Sequence, residues 1–286
     1  MPETADLLPA KNAEPSEGGA ARLYERYRQT LAHPPVWNET LDTLLAHKSV
    51  RAYLPDAVPD GTLELLIAAA QSAASSSNLQ PWSVVAVEDS ARKNRLAALA
   101  GNQQHIVQAP LFLLWLVDLH RLEAIGKTRA TPTDALGFLE SFLLGAVDTT
   151  LAAQNAVVAL ESLGLGAVYI GGIRNRPLEV AKELELPPQV FALFGLAIGH
   201  PDPAAPASVK PRLPQEAVLF RETYDHHTGQ APLEAYNRHL RSFQREQGLP
   251  EGDWTAQVTQ RIRDASSLHG RDLLRDALHH LGFGLK

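Results

Sequence analysis

The sequence contains no cysteine among its 286 residues. This absence excludes disulfide bonds, thiolate nucleophiles and zinc or iron–sulfur sites with cysteine ligands. Positive charge is also scarce, because 26 lysines and arginines stand against 32 acidic residues and leave a net charge of −6. Non-specific binding to nucleic acids or to anionic membranes requires a basic surface. We therefore expect neither a nucleic-acid partner nor a membrane partner.

Several familiar catalytic patterns are missing as well. The sequence has no GxSxG motif of a serine hydrolase and no GxGxxG fingerprint of a dinucleotide-binding strand–helix unit. Its eleven histidines form no ligand pattern, and the adjacent pairs His226–His227 and His279–His280 are interpreted as surface residues. We expect no metal site and assign no catalytic side chain.

Targeting signals are not evident either. The first 19 residues, MPETADLLPAKNAEPSEGG, lack the basic start and apolar core of a secretory signal. The longest apolar segment, residues 135–163, is interrupted by Glu140, Asp148 and Glu161. A cytoplasmic protein is the expectation. Residues 1–38 are predicted to form a partly disordered extension, and residues 39–286 a single domain.

Hydrophobic patterning predicts the secondary structure of this domain. Continuous or alternating apolar runs predict strands over 83–87, 111–117, 167–171 and 190–199. Helical spacing and breaker residues predict helices over 21–30, 39–47, 60–74 with Asp60 as its N-cap, 90–100 with Ser90 as its cap, 135–163, 177–185, 232–247 and 254–281. Because strands and helices mix without strict alternation, the α+β class with one central sheet is favoured.

The segment 135–163 is apolar on most sides of a helix, so it must be buried. Two interpretations are open. The helix forms the centre of a large fold, or it forms the core of a subunit interface.

Four short blocks carry the functional signal: HKSVR (47–51), SSSNLQPW (75–82), YIGG (169–172) and KPR (210–212). Cationic, hydroxyl and amide side chains with flexible glycines suit a planar ligand that carries a phosphate. Each block also has an ordinary structural explanation. HKSVR fits a basic helix C-terminus, SSSNLQPW a polar turn, YIGG a tight turn and KPR a basic surface loop.

Taken together and in this order, the blocks resemble the nitroreductase family, in particular its oxygen-insensitive NADPH nitroreductases and NADPH:flavin oxidoreductases. The resemblance runs from about Leu41 to the end of the chain and includes GNQQHIVQAP (101–110), the segment 143–175 and FGLAIGHP (194–201). It implies a central, mostly antiparallel sheet wrapped by helices in a domain-interlocked homodimer. Two FMN sites would lie at the dimer interface.

The resemblance also implies residue roles. The residues expected to bind FMN are His47, Lys48, Ser49, Val50, Arg51, Ser75, Gln103, Gln104, His105, Tyr169, Ile170, Gly171, Gly172, Lys210 and Arg212. Among them Arg51, Lys210 and Arg212 would contact the phosphate, and Ser75 would come from the partner subunit. The residues expected to meet the nicotinamide or the oxidising substrate are Ser77, Asn78, Gln103 and Arg271.

One departure from the family pattern concerns the electron donor. Gln247 stands where the family places the arginine that binds the 2′-phosphate of NADPH, and an amide lacks the bidentate ionic contact. Arg238, Arg241 and Arg245 lie on the same predicted helix and offer a substitute. Either NADPH or NADH is therefore expected as the donor.

The implied activity is an FMN-dependent, two-electron reduction of nitroaromatics, quinones or flavins by NAD(P)H in a ping-pong cycle. Two alternatives remain. One is a flavin reductase that supplies free reduced FMN to a partner, and the other is a non-enzymatic FMN-binding protein.

Overall fold

The structure, a computed structural model, describes residues 17–31, 36–226 and 229–286. The chain divides into two compact units. The first unit contains the described residues up to His47 together with Ser208–Thr259, and the second contains Lys48–Ala207 and Gln260–Lys286. The boundary expected at residues 38 and 39 stays a prediction.

An antiparallel four-stranded sheet forms the centre of the second unit, in the order β1-β2-β4-β3. The strands are β1 (Trp82–Val87), β2 (Leu111–Asp118), β3 (Gly166–Ile170) and β4 (Val190–Gly199). Every residue of β2 is buried, as the continuous apolar run predicts for a strand covered on both faces. The predicted α+β class with an antiparallel sheet is confirmed, and each predicted strand is present to within one residue at either end.

Eleven α-helices lie in the described part of the chain. They are α1 (Glu17–Tyr27), α2 (Glu39–Ala46), α3 (Thr62–Gln71), α4 (Ser90–Leu99), α5 (Gln104–Gln108), α6 (His120–Thr128), α7 (Leu139–Ser162), α8 (Pro177–Glu183), α9 (Gln230–Glu246), α10 (Trp254–Arg261) and α11 (Leu274–His280). Most of the predicted tail over residues 1–19 and the Pro34–Pro35 breaker lie outside the described residues. Helix α1 begins four residues before the predicted start at residue 21.

Helix α7 packs one face against α3 and the sheet, where Ala152, Ala153, Ala156 and Leu160 are fully buried. The opposite face is exposed. Leu139, Leu143, Val147 and Leu151 recur every four residues there, with exposed fractions between 43 and 56%. By length and composition α7 could cross a bilayer, but 44% of its most apolar window is buried inside the protein. A helix in a protein core can have the same length and composition, and α7 contributes its buried face to the core.

Three local predictions are wrong, two about helix caps and one about the length of a helix. Gly61, with φ of +79°, precedes α3 in place of the predicted cap Asp60. Asp89, whose side chain accepts from the backbone of Arg92, caps α4 in place of Ser90. The helix predicted over 254–281 is interrupted after Arg261 by 3₁₀ turns and by left-handed residues at 269 and 270.

The first unit contains α1, α2, α9 and the extended segment Lys210–Arg212. Arg22 on α1 forms an ion pair with Asp42 on α2, with Nε and Oδ1 2.9 Å apart. Arg28 pairs with Glu246 and lies over the ring of Phe243. Arg28, which follows α1, is thereby tied to α9.

Candidate functional site

The HKSVR block runs alongside β3. Ser49 pairs with Ala167 in a parallel bridge, and the N–H of Val50 donates to the carbonyl of Ala167 over 2.9 Å. The Val50 side chain is buried, and a Cβ on Gly166 would come within 2.5 Å of it. Val50 therefore fixes the block to the sheet by packing. Its neighbours Lys48, Ser49 and Arg51 remain exposed, whereas His47 ends α2 in the first unit.

Helix α5 presents the predicted residues Gln103, Gln104 and His105. Gln103 precedes the helix and donates from its side chain to the carbonyl of Ala100 over 2.8 Å. Partial burial, and secondarily the charge of Arg51, lower the pKa of His105 below its usual 6.5. The Nε2 atom of His105 is buried without a hydrogen-bond partner. An orphaned polar atom beside a cation fits a site that takes up a polar ligand.

The YIGG block begins at the end of β3 and turns into a short 3₁₀ segment, Gly171–Asn175. Tyr169 packs edge-on against Phe194, and Ile170 is buried. A Cβ on Gly172 would lie 2.4 Å from the carbonyl oxygen of Ala100, so glycine is required there by close packing. Gly172 therefore has a structural explanation, which is this close packing.

Gly171 differs from its neighbour. A Cβ on Gly171 would meet only the tips of two arginine side chains, Arg174 at 3.4 Å and Arg271 at 3.8 Å. Among the described residues, no backbone atom beyond those of Gly171 and its two chain neighbours lies within 4 Å of this Cβ position, and the nearest groups are the ends of flexible side chains. A flat ligand could approach this backbone closely.

The sequence-based assignment missed two residues of the short segment that follows Gly171, Arg174 and Asn175. Arg174 donates to the carbonyl of Leu193, and burial together with the charge of Arg271 lowers the pKa of its guanidinium. The side-chain oxygen of Asn175 is buried without a partner. Both follow YIGG directly in the quoted segment YIGGIRN, so their position beside the glycines was the available signal. Arg271, which was predicted, lies with them despite the misassigned helix around it.

The SSSN loop is held by α7. The side chain of Asp148 is 2% exposed and accepts hydrogen bonds from Ser75 Oγ, over 2.6 Å, and from the backbone of Ser76. Ser75 Oγ in turn accepts from the backbone of Gln80. Ser77 and Asn78 are exposed and have positive φ angles of 48° and 56°. The loop therefore displays these two polar side chains from a constrained backbone.

The KPR block lies in the first unit. Lys210 and Arg212 are exposed while Pro211 between them is buried, the alternation expected of an extended segment. Both cations line a cavity of about 780 Å³ together with aromatic residues that include Tyr236, Phe243 and Trp254. A cationic rim on an aromatic-lined cavity suits an aromatic ligand with an anionic group.

Short contacts thus bring several of the predicted residues of the second unit together in pairs, whereas no described contact joins Ser75, Ser77 or Asn78 to them. Arg51 influences His105, Gln103 borders Gly172, and Gly171 borders Arg271. Two buried polar atoms there lack partners, on His105 and Asn175. These features fit a bound FMN, a polar, planar and anionic group, and the FMN-binding assignments stay predictions. Among the described residues no three or more histidine, aspartate or glutamate side chains come together as metal ligands do.

Comparison with known proteins identifies the family. The sequence model of the nitroreductase family matches residues 44–200, and the model of the family's C-terminal domain matches residues 210–286. The chain belongs to the nitroreductase family. The resemblance seen in the sequence is confirmed, whereas α1 lies before the part of the chain that the family models match.

Individual members of the nitroreductase family extend this result. FMN reductase [NAD(P)H] of Bacillus subtilis is 40% identical over 243 residues, which cover 83% of this chain and 96% of that protein. The oxygen-insensitive NADPH nitroreductase of Salmonella typhimurium is 43% identical over 65% of this chain and 74% of its own length. The solved structure of the NADPH:FMN oxidoreductase from Vibrio harveyi, complexed with NAD+, superposes with a TM-score of 0.78 at 34% identity. It covers 87% of this chain and 100% of its own.

Gln247, the residue that the resemblance aligns with the family's arginine for the 2′-phosphate, lies in the first unit. Gln247 is the residue that ends α9, is exposed, and accepts a hydrogen bond from Ser208. The neighbouring arginines have local partners, because Arg241 pairs with Asp253 and Arg245 with Glu251. Both are therefore occupied by carboxylates close by in the sequence.

Proposed function

We propose that this nitroreductase-family chain is an FMN-dependent oxidoreductase that uses NADPH or NADH to reduce nitroaromatics, quinones or flavins. The observation that carries the proposal is the alignment with the FMN reductase [NAD(P)H] of B. subtilis, 96% of which matches this chain at 40% identity. When bound, FMN supplies hydride acceptance from the nicotinamide and two-electron delivery to the acceptor in a separate half-reaction.

The residues of the second unit would orient this chemistry. Arg51 offers an exposed cation beside His105, whose lowered pKa keeps the imidazole neutral at pH 7. Gly171 leaves its backbone open to a flat ring, and Arg174 and Arg271 add positive charge next to it. Positive charge around an electron-rich ring stabilises its reduced, anionic form. No side chain is assigned as a general acid, because solvent can supply protons in an exposed site.

The residues of the first unit would hold the phosphate. Lys210 and Arg212 project from one extended segment with a buried proline between them. Arginine and lysine bind phosphate through charge-assisted hydrogen bonds, and a segment with fixed backbone presents them at a constant spacing. We assign these two side chains to the FMN phosphate together with Arg51.

A second candidate function is favoured by the printed name of the B. subtilis relative, FMN reductase. In that case free FMN is the main acceptor, and reduced FMN leaves for another enzyme. Comparing kcat/KM for free FMN with kcat/KM for a nitroaromatic separates the two, because a dedicated flavin reductase turns over free FMN far more efficiently than the nitroaromatic.

A homodimer is part of the proposal. The exposed stripe Leu139, Leu143, Val147 and Leu151 on α7 is a continuous apolar surface that a second copy of the chain would cover. Ser75, on the neighbouring loop, would then contribute to the FMN site of the partner. A cytoplasmic location is also proposed, since that compartment supplies reduced nicotinamides.

The test of the proposed function is anaerobic reduction of the FMN-loaded protein. We expect NADPH or NADH to bleach the yellow absorbance and a nitroaromatic to restore it, with parallel double-reciprocal plots for the two substrates. Bleaching by neither nicotinamide would point to a non-enzymatic FMN-binding protein. A chain that takes up no FMN would overturn the proposal.

A further inference from the structure

Arg26 is a buried cation at the end of α1, with only 6% of its surface exposed. Its guanidinium donates to three backbone carbonyls from two separate parts of the first unit. Nη2 reaches the carbonyls of Leu45 and His47, each at 2.8 Å. Nη1 reaches the carbonyl of Lys210 at 3.0 Å, although Lys210 lies 184 residues further along the chain.

The backbone of Arg26 makes a second contact with the segment Lys210–Arg212. Its carbonyl accepts from the N–H of Arg212 over 2.9 Å. Arg26 therefore forms hydrogen bonds on both sides of Pro211. Its side chain bonds to Lys210 and its main chain to Arg212. Proline has no N–H of its own, so the two flanking residues supply the available contacts on this side.

Pro211 itself accepts a hydrogen bond from another helix. The hydroxyl of Tyr236 on α9 donates to the carbonyl of Pro211 over 3.0 Å, and this hydroxyl is buried. Hydrogen bonds thus reach the carbonyls of Lys210 and Pro211 and the N–H of Arg212. Such pairing fixes the backbone from which the two exposed cationic side chains project.

We propose that Arg26 is a positioning residue that sets the backbone carrying Lys210 and Arg212, and through them the binding of the FMN phosphate. The inference rests on the proposed function. It assigns a role to α1, which precedes the region matched by the family models. A guanidinium suits this task because its planar donors address several carbonyls at once, whereas a lysine ammonium at the same place is a single compact donor group.

The test compares FMN with riboflavin, which has the same ring system and no phosphate. Each flavin is titrated into the flavin-stripped full-length chain while flavin fluorescence is followed. For Arg26→Gln and Arg26→Lys we expect the Kd for FMN to rise about tenfold, the effect of roughly one charge-assisted hydrogen bond. The Kd for riboflavin stays within twofold of wild type.

Arg22→Gln is the matched control. Arg22 lies one turn earlier on α1, pairs with the exposed carboxylate of Asp42, and makes no described contact with residues 210–212. This substitution removes an ion pair between α1 and α2 but keeps the hydrogen bonds of Arg26. We expect both flavin affinities to match wild type.

Tyr236→Phe keeps the test decisive if Arg26→Gln does not fold, because it removes only one hydroxyl. We expect an FMN-specific loss of about threefold. Equal losses of affinity for FMN and riboflavin would make the role of Arg26 merely structural and would overturn the inference. Unchanged FMN binding in Arg26→Gln and Tyr236→Phe would also overturn it. A wild-type chain that binds neither flavin would instead refute the proposed function.

Discussion

The hydroxyl of Ser75 donates a hydrogen bond of 2.6 Å to Asp148, a carboxylate that is almost completely buried in the middle of α7. The other carboxylate oxygen accepts from the N–H of Ser76 at 3.2 Å. One acidic side chain therefore joins a central helix to the loop that displays Ser77 and Asn78. The polar residue that interrupts an otherwise apolar helix has a defined structural role.

The first prediction concerns this carboxylate. Asp148→Asn replaces one acceptor oxygen by a donor while keeping the shape, so one of the two bonds to the loop is lost. We expect the free energy of unfolding to fall by about 1 to 3 kcal/mol, and the KM for NAD(P)H to rise severalfold. Denaturant unfolding and steady-state kinetics measure the two effects. Glu140→Gln on the exposed first turn of α7 is the control, and an equal change there would refute the assignment.

The second prediction contrasts neighbouring glycines. Gly172→Ala forces a methyl group against the backbone carbonyl of Ala100, which leaves only 2.4 Å. We expect a loss of stability of about 1 to 3 kcal/mol, visible as a lower denaturant midpoint. Gly171→Ala meets only arginine tips, so stability stays near wild type while FMN affinity drops. If both variants were equally destabilised, the open approach at Gly171 would be disproved.

The third prediction is a pH dependence. Burial lowers the pKa of His105 in the folded chain, so the unfolded chain binds more protons as the pH falls through the usual value of 6.5. The contribution of His105 to stability is therefore present above that pH and declines below it. Between pH 7.5 and 5.5 we expect the stability of the flavin-free protein to fall less in His105→Asn than in wild type. A steeper fall in the variant would contradict the direction of this pKa shift.

The fourth prediction addresses the choice of nicotinamide. Because Arg241 and Arg245 are paired with Asp253 and Glu251, we expect Arg245→Gln to leave the ratio of kcat/KM for NADPH over NADH within twofold of wild type. Gln247→Arg restores a bidentate donor and should raise that ratio about tenfold. Loss of an NADPH preference in Arg245→Gln would show that this arginine has taken over the phosphate contact.

The fifth prediction concerns the exposed stripe on α7. Val147, at 56% exposure, lies in the middle of the stripe. Val147→Asp places a charge where a second copy would pack, so we expect the dimer to dissociate in light scattering coupled to size-exclusion chromatography. Asn94→Asp adds the same charge on the exposed side of α4 and should leave the mass unchanged. A wild-type chain that runs as a monomer would exclude the homodimer.

The strands and the long central helix were predictable because burial on two faces produces continuous apolar runs such as residues 111–118. The interruption of the helix expected over 254–281 was not, since the segment has helical spacing and its break depends on the left-handed backbone at His269 and Gly270. Local backbone geometry of this kind leaves little trace in the hydrophobic pattern.

The residues of the candidate site were also only partly predictable from the sequence. The glycines, the hydroxyl loop and the basic blocks were recognisable as an ordered set. Arg174 was within a quoted segment, yet nothing in its residue type showed that it would lie beside Arg271. Arg26 had no sequence signal at all, because its described partners are backbone carbonyls, which every residue possesses.

The contact between Arg26 and Lys210 also sets an order of events during synthesis. The first unit is built from two stretches of chain separated by residues 48–207, so its early part waits for its later part to emerge from the ribosome. At 5 to 20 residues per second, the 184 residues that separate Arg26 from Lys210 take roughly 10 to 40 s to synthesise. During that interval the carbonyl of Lys210 is not yet available to Arg26, although those of Leu45 and His47 are. The final docking of α1 thus belongs among the last steps of folding, after the residues of the central sheet have all been made.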